Sequence, residues 1–204
     1  MPAINNQQGR IVSFKHLLIA LPFLFASTAF AEVDECFELY EVKKQYKQAL
    51  VVCTKAAEEG IKESQYNLGQ MYRNGQGVLQ DYKLAVNWYT KAANQGHTSS
   101  QYNLGVMCDK GEGVPQDYKQ AAHWYTKAAK QGDADAQYNL GIRYYHGQGV
   151  LQDYKQAYAL WDIAASQGDE MAAKNRGFVA KQMSSAQIEK AQALSKELYA
   201  QYMK

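Results

Sequence analysis

The chain has 204 residues, and 22 lysines and arginines against 20 acidic residues give it a net charge of +2. That balance leaves no basic surface for a nucleic-acid partner. The length is enough for one domain with a core of its own.

In chain order, residues 1–31 read as a cleavable secretory signal peptide. Arg10, Lys15 and His16 open it, the apolar run Leu17 to Phe25 follows, and Ala29 and Ala31 stand at the spacing a signal peptidase reads. The apolar run falls short of the roughly 20 residues of a spanning helix, and Pro22 interrupts it. A retained membrane anchor is the alternative. Cleavage after Ala31 would leave a periplasmic or secreted chain beginning at Glu32, with no membrane insertion and with 20 basic and 20 acidic residues. The residues before Cys36, Val33-Asp34-Glu35, lack the small side chains of a lipoprotein cleavage site.

Residues 34–60 carry Cys36 and Cys53, placed symmetrically about Lys44–Gln45. If the segment is an antiparallel helical hairpin turning there, the two cysteines face each other and can form a disulfide. The alternative is a pair of small buried thiols. An exported chain meets an oxidising compartment, which favours the bridge.

From residue 61 the sequence repeats itself. Tyr-Asn-Leu-Gly starts at Tyr66, Tyr102 and Tyr138; Gly-x-Gly-Val at Gly75, Gly111 and Gly147; Gln-Asp-Tyr-Lys at Gln80, Gln116 and Gln152. Ala-Ala-x-x-Gly closes each unit, at Ala56–Gly60, Ala92–Gly96, Ala128–Gly132 and Ala164–Gly168. The period is 36 throughout and marks a repeat architecture. Within a unit the apolar spacing is helical. Leu68, Gly69 and Tyr72 define one face of a first helix, A, and Tyr82, Ala85, Val86, Tyr89, Ala92 and Ala93 follow the i, i+3, i+4, i+7 rule along a second, B. Gly75-Gln76-Gly77 stops helix A, and Asp81 is placed to cap helix B. Repeats therefore span 61–96, 97–132 and 133–168, with a cap over 169–204. Gly69, Gly105 and Gly141 recur inside helix A, where glycine is costly, and predict that another helix backbone packs against them.

The stretch AEEGIKESQYNLGQMYRNGQGVLQDYKLAVNWYTKAANQG and its two copies resemble Sel1-like repeats, relatives of the tetratricopeptide repeat with a longer unit. CFELYEVKKQYKQALVVCTKAAEEG resembles the shortened first hairpin of exported members, and MSSAQIEKAQALSKELYAQYMK their terminal capping helix. The resemblance implies an all-α, right-handed α-solenoid of antiparallel helix pairs, whose A helices line a concave face that grips a protein or extended peptide. Similar exported proteins are linked to signalling regulation, envelope assembly, host contact and immunity against secreted toxins. Some cysteine-rich relatives are described as penicillin-binding or weakly β-lactam-hydrolysing; they carry a cysteine pair in each repeat, where this chain has one pair.

Signatures of chemistry are sparse. His97, His123 and His146 form no metal-ligand pattern, no serine-hydrolase motif occurs, and no metal or cofactor is expected. The Gly-x-Gly turns follow a helix and lack the lysine of a phosphate loop. Trp88 and Trp124 align with Leu160, and Trp161 with Tyr89 and Tyr125, which reads as packing between helices. Cys108 takes the slot of Tyr72 and Tyr144 and reads as a buried thiol, with an intermolecular disulfide as the alternative. Candidate partner-binding residues come from a stripe of helix A that holds one fixed and two changing positions. The copies read Asn67, Met71, Asn74; Asn103, Met107, Lys110; and Asn139, Arg143, His146. The asparagines either bond a partner's backbone or bond neighbouring helices, and the methionines are expected to be exposed contact residues.

Overall fold

The computed structural model describes residues 35–203; the expected signal peptide and its cleavage site lie outside the described residues. The chain there is helical: a short π-helical segment α1 (Glu38–Val42), then α2 (Tyr46–Glu58), α3 (Lys62–Asn74), α4 (Tyr82–Asn94), α5 (Thr98–Lys110), α6 (Tyr118–Ala129), α7 (Ala134–His146), α8 (Tyr154–Ser166), α9 (Glu170–Ala180) and α10 (Ser185–Tyr202). Helices α3, α5 and α7 are A helices, each packed antiparallel on its B helix α4, α6 or α8, and every B helix packs on the next A helix. The result is an α-solenoid.

Polar residues set the ends of these helices. Asp81, Asp117 and Asp153 sit in extended backbone and accept the first free N–H groups of α4, α6 and α8. Asp133 and Asp169 do the same for α7 and α9, and His97 does it for α5 through its ring nitrogen. Gly75, Gly111 and Gly147 close the A helices in the left-handed conformation. Each turn is then pinned by a glutamine: Gln80, Gln116 and Gln152 donate to the carbonyls of Arg73, Asp109 and Tyr145 at 2.7–2.8 Å.

The glycines inside the A helices mark close contacts, but the neighbour is a ring rather than a backbone. A Cβ on Gly69 would lie 2.6 Å from the Tyr89 ring, and Gly105 and Gly141 meet Tyr125 and Trp161 in the same way. The aromatic that recurs on helix B is thus seated in a notch on helix A, nearly or wholly buried.

Units are tied to one another by a chain of buried amides. Gln65, Gln101 and Gln137 each donate to the carbonyl of an alanine in the last turn of the preceding B helix, Ala57, Ala93 or Ala129. The same three side chains accept from Gln95, Gln131 and Gln167, at the far end of their own units, at 2.7–2.9 Å. Buried amides are costly without partners, so this satisfaction holds adjacent units in register.

At the N-terminal end a tight turn through Lys44, which has φ 54°, brings the first helical segment back along α2. Cys36 and Cys53 are bridged, with their Cα atoms 4.9 Å apart and both residues fully buried. At the other end α10 does not pair with α9; it lies along α8. The reason is visible at one slot. Trp88 and Trp124 fill the space between successive B helices, each under a lysine, Lys91 or Lys127, whose ammonium stands 3.9 or 4.5 Å from the ring centre. In the third unit that slot holds the smaller Leu160, and Leu198 and Tyr202 of α10 pack into the room it leaves.

Candidate binding surface

The A helices stand side by side, and the residues between them decide what reaches the surface. The recurring asparagine belongs to the junction. The Asn103 and Asn139 side chains stand beside the hydroxyls of Tyr66 and Tyr102 on the preceding A helix, and Asn175 of α9 donates to Tyr138 at 3.5 Å. Asn103 also accepts from Arg73 at 3.1 Å. Asn67 stands at the first position of this ladder and donates to the Cys36 sulphur. Asn67, Asn103 and Asn175 are therefore engaged by neighbouring segments, and Asn139 faces the same junction.

Met71 and Met107 are fully buried, which corrects their reading as exposed contact residues. Their slot faces the preceding unit: Met71 packs with Leu39, Tyr40 and Cys53, and Met107 with Ala85 and Tyr89. In the third unit the same slot holds Arg143, which carries its charge into the junction. Its guanidinium bonds Asp109 of α5 at 2.8 Å and stands over the Tyr118 ring, while its Nε is buried without a partner. Burial lifts the Asp109 carboxyl above its ordinary range, and Arg143 pulls it back only in part.

Arg143 is thus a junction residue, with 11% of its side chain exposed and 21% of its partner's. Replacing it by methionine, the residue its slot holds in the other units, should cost about 1–3 kcal/mol because Asp109 is left unpaired. The sign with pH follows from the raised carboxyl: the folded state holds this proton more tightly than the unfolded chain, so ionising Asp109 removes stability as pH rises. The loss should be largest at neutral pH, shrink on acidification, and be mostly recovered in R143M/D109N. Thermal melts across pH check this; a loss of the same size in the double variant refutes it.

Three of the candidate residues reach the solvent. Asn74, Lys110 and His146 are exposed at the last turn of α3, α5 and α7, in one register, and differ in every unit. Beside them runs a second varied row that sequence reasoning missed: Arg73 bonds Asn103 and Glu112, Asp109 bonds Arg143, and Tyr145 begins an aromatic group. Tyr145 stacks on Tyr154 at 5.3 Å and meets Phe178 at 6.1 Å and His146 at 4.9 Å between ring centres. Phe178 is 56% exposed. The signal for this row lay in its composition: one slot changing from arginine to aspartate to tyrosine.

The remaining chemistry-bearing residues are absorbed by the fold. Burial lowers the His97 pKa, in keeping with a ring that caps α5 and lies against Tyr66. Cys108 is a half-buried free thiol, pushed up by burial. Among the described residues, no group of three or more histidine, cysteine or acidic side chains is arranged to hold a metal ion.

Stacked helix pairs at a fixed period, joined by amide ladders and leaving varied residues along one face, define an α-solenoid of the repeat-scaffold class. The chain belongs to the Sel1 repeat family, whose model matches residues 62–97, 98–133 and 134–169; proteins of this family generally serve as protein-interaction scaffolds. It is similar in structure to a Sel1 repeat protein from Oxalobacter formigenes, with 34% identity and a TM-score of 0.68 over 72% of this chain and 60% of that one. It also resembles a protective antigen of uropathogenic Escherichia coli with an SLR fold, at 30% identity and a TM-score of 0.60 over 87% and 47% of the two chains. Cysteine rich protein B of Helicobacter pylori is similar at 27% identity and a TM-score of 0.51, over 65% of this chain and 96% of its own. The chain thus spans less than two thirds of the first two relatives. No curated protein matches it.

Proposed function

We propose that the chain is an exported, non-enzymatic scaffold that grips a partner protein, or an extended segment of one, on its A-helix face. The observation that carries this reading is the exposed row Asn74, Lys110 and His146, which changes in every unit while Leu68 and Gly69 of the same helix repeat in each. Repetition serves the stack; variation at one register of a rigid face serves discrimination. His146 adjoins the Tyr145–Phe178 group, and aromatic side chains are the usual anchors of protein interfaces. A bridged cysteine pair is compatible with a periplasmic or secreted location.

The test is site-specific photocrosslinking in cells that export the protein. A photoreactive amino acid at Asn74, Lys110 or His146 should give one common adduct, on a protein whose mature N-terminus is Glu32. The same residue at Lys83 or Gln120, exposed on B helices α4 and α6, should not. Adducts from the B-helix positions alone would place the partner on the opposite face and end the reading.

A further inference from the structure

The fourth A helix keeps part of the pattern of the other three, with Lys174 and Arg176 where they have tyrosine and leucine, and no B helix follows to pack on it. Asp169, Ala172, Asn175 and Gly177 of α9 repeat Asp133, Ala136, Asn139 and Gly141 of α7 at the period of 36. Asp169 caps the helix and Asn175 bonds Tyr138, so the helix is docked in the stack in the ordinary way. In units one to three the glycine of this helix receives an aromatic ring from the following B helix, close enough that a Cβ would collide with it. At Gly177 a Cβ would meet nothing within 4 Å. The helix that follows, α10, lies along α8 instead, and a cleft of about 610 Å³ opens beside Gly177, lined by Tyr158, Ala180, Gln192, Lys196 and the ion-paired Asp162 and Arg176.

We propose that the Gly177 notch receives a tyrosine or tryptophan side chain from a partner protein, continuing the A–B interface that the chain builds three times over. The occupant is specified by that interface. Tyr89, Tyr125 and Trp161 are what the three earlier notches hold, each followed by small residues, Ala92-Ala93, Ala128-Ala129 and Ala164-Ala165, that let the helices close. The cleft is roomy enough for one ring, with Tyr158 and Ala180 as its apolar walls and the Asp162 carboxylate in reach of a ring N–H or O–H. This site lies at the end of the solenoid and does not depend on the A-helix face proposed above.

The experiment titrates isotope-labelled protein with indole and, separately, with p-cresol, the side-chain fragments of tryptophan and tyrosine, and follows the backbone amide resonances. The largest shifts are expected at Gly177 and Ala180. In Gly177→Ala the shifts should be lost, because a ring seated as in the other notches collides with the new methyl group. The variant itself should melt about 1–4 °C higher, since alanine favours a helix and the methyl group enters open space. Three results would overturn the proposal: no shift at Gly177 and Ala180, shifts that persist in the variant, or a variant that melts lower than the parent, which would mean the notch is already filled.

Discussion

Gly149→Ala is expected to destabilise the fold by about 2–4 kcal/mol, whereas Gly168→Ala, at an equally left-handed glycine, costs only about 1–2 kcal/mol. The two positions share the backbone penalty: φ is +74° at Gly149 and +100° at Gly168. They differ in what a side chain would meet. At Gly168 a Cβ finds open space, while at Gly149 it would run into the Tyr118 carbonyl and come within 2.5 Å of the Lys119 amide. Those atoms are the first turn of α6, which belongs to the preceding unit. The second glycine of each Gly-x-Gly turn is therefore the seat on which one repeat rests on another, and backbone cannot step aside as a flexible side chain can. Denaturant titrations of the two variants measure the difference directly. Equal losses would mean that only the backbone conformation matters and that the seat can yield.

Removing the Cys36–Cys53 bridge is the second large effect. The bond closes a loop with a sequence separation of 17, for which the chain-entropy estimate gives about 3 kcal/mol. The loss should not be spread evenly. The bridge holds the short helical segment against α2, and both cysteines pack with Leu39, Ala49, Leu68 and Met71. A C36S/C53S variant should lose amide protection first over residues 35–58, with α5 to α8 keeping theirs until the global transition. Uniform loss of protection along the chain would show that the first hairpin does not open separately.

Much of the fold could be read in the sequence because the repeats print the same contacts several times. The 36-residue period, the aspartate caps and the glycine stops are local matters of backbone chemistry, and each stands where the motifs place it. The close contact at Gly69 was legible as well, but not its partner, since only the crossing of α3 and α4 brings the Tyr89 ring to that point. The stripe of residues 67, 71 and 74 shows where spacing alone misleads. A helix on the surface of a globule has one packed side and one wet side, so a stripe away from Leu68 and Tyr72 looks exposed. An A helix inside a solenoid is packed by its own B helix, by the preceding B helix and by the A helices beside it, and Met71 and Met107 fall in the second of these contacts. The pairing of Arg143 with Asp109 lies across a separation of 34, beyond any local rule, although a charge entering a slot otherwise held by methionine was a clue that a countercharge stood opposite. The position of α10 was hidden for a related reason: its only mark is the exchange of tryptophan for Leu160 one unit upstream.

The buried glutamines have a consequence for how such a chain can change length. Each of Gln65, Gln101 and Gln137 takes its two partners from fixed places, one just upstream and one 30 residues downstream, so the amide bonding is the same at every junction. A whole unit duplicated or deleted in frame leaves every amide answered, because the new neighbours present the same groups at the same distances. An insertion of one residue within helix A or B rotates the downstream amide by about 100° away from its carbonyl and strands both. The chain can therefore be extended or shortened in steps of one repeat, by recombination or by design, while the loops between Gly75 and Gln80 and their equivalents are fixed in length by the glutamine that ties each turn back to helix A.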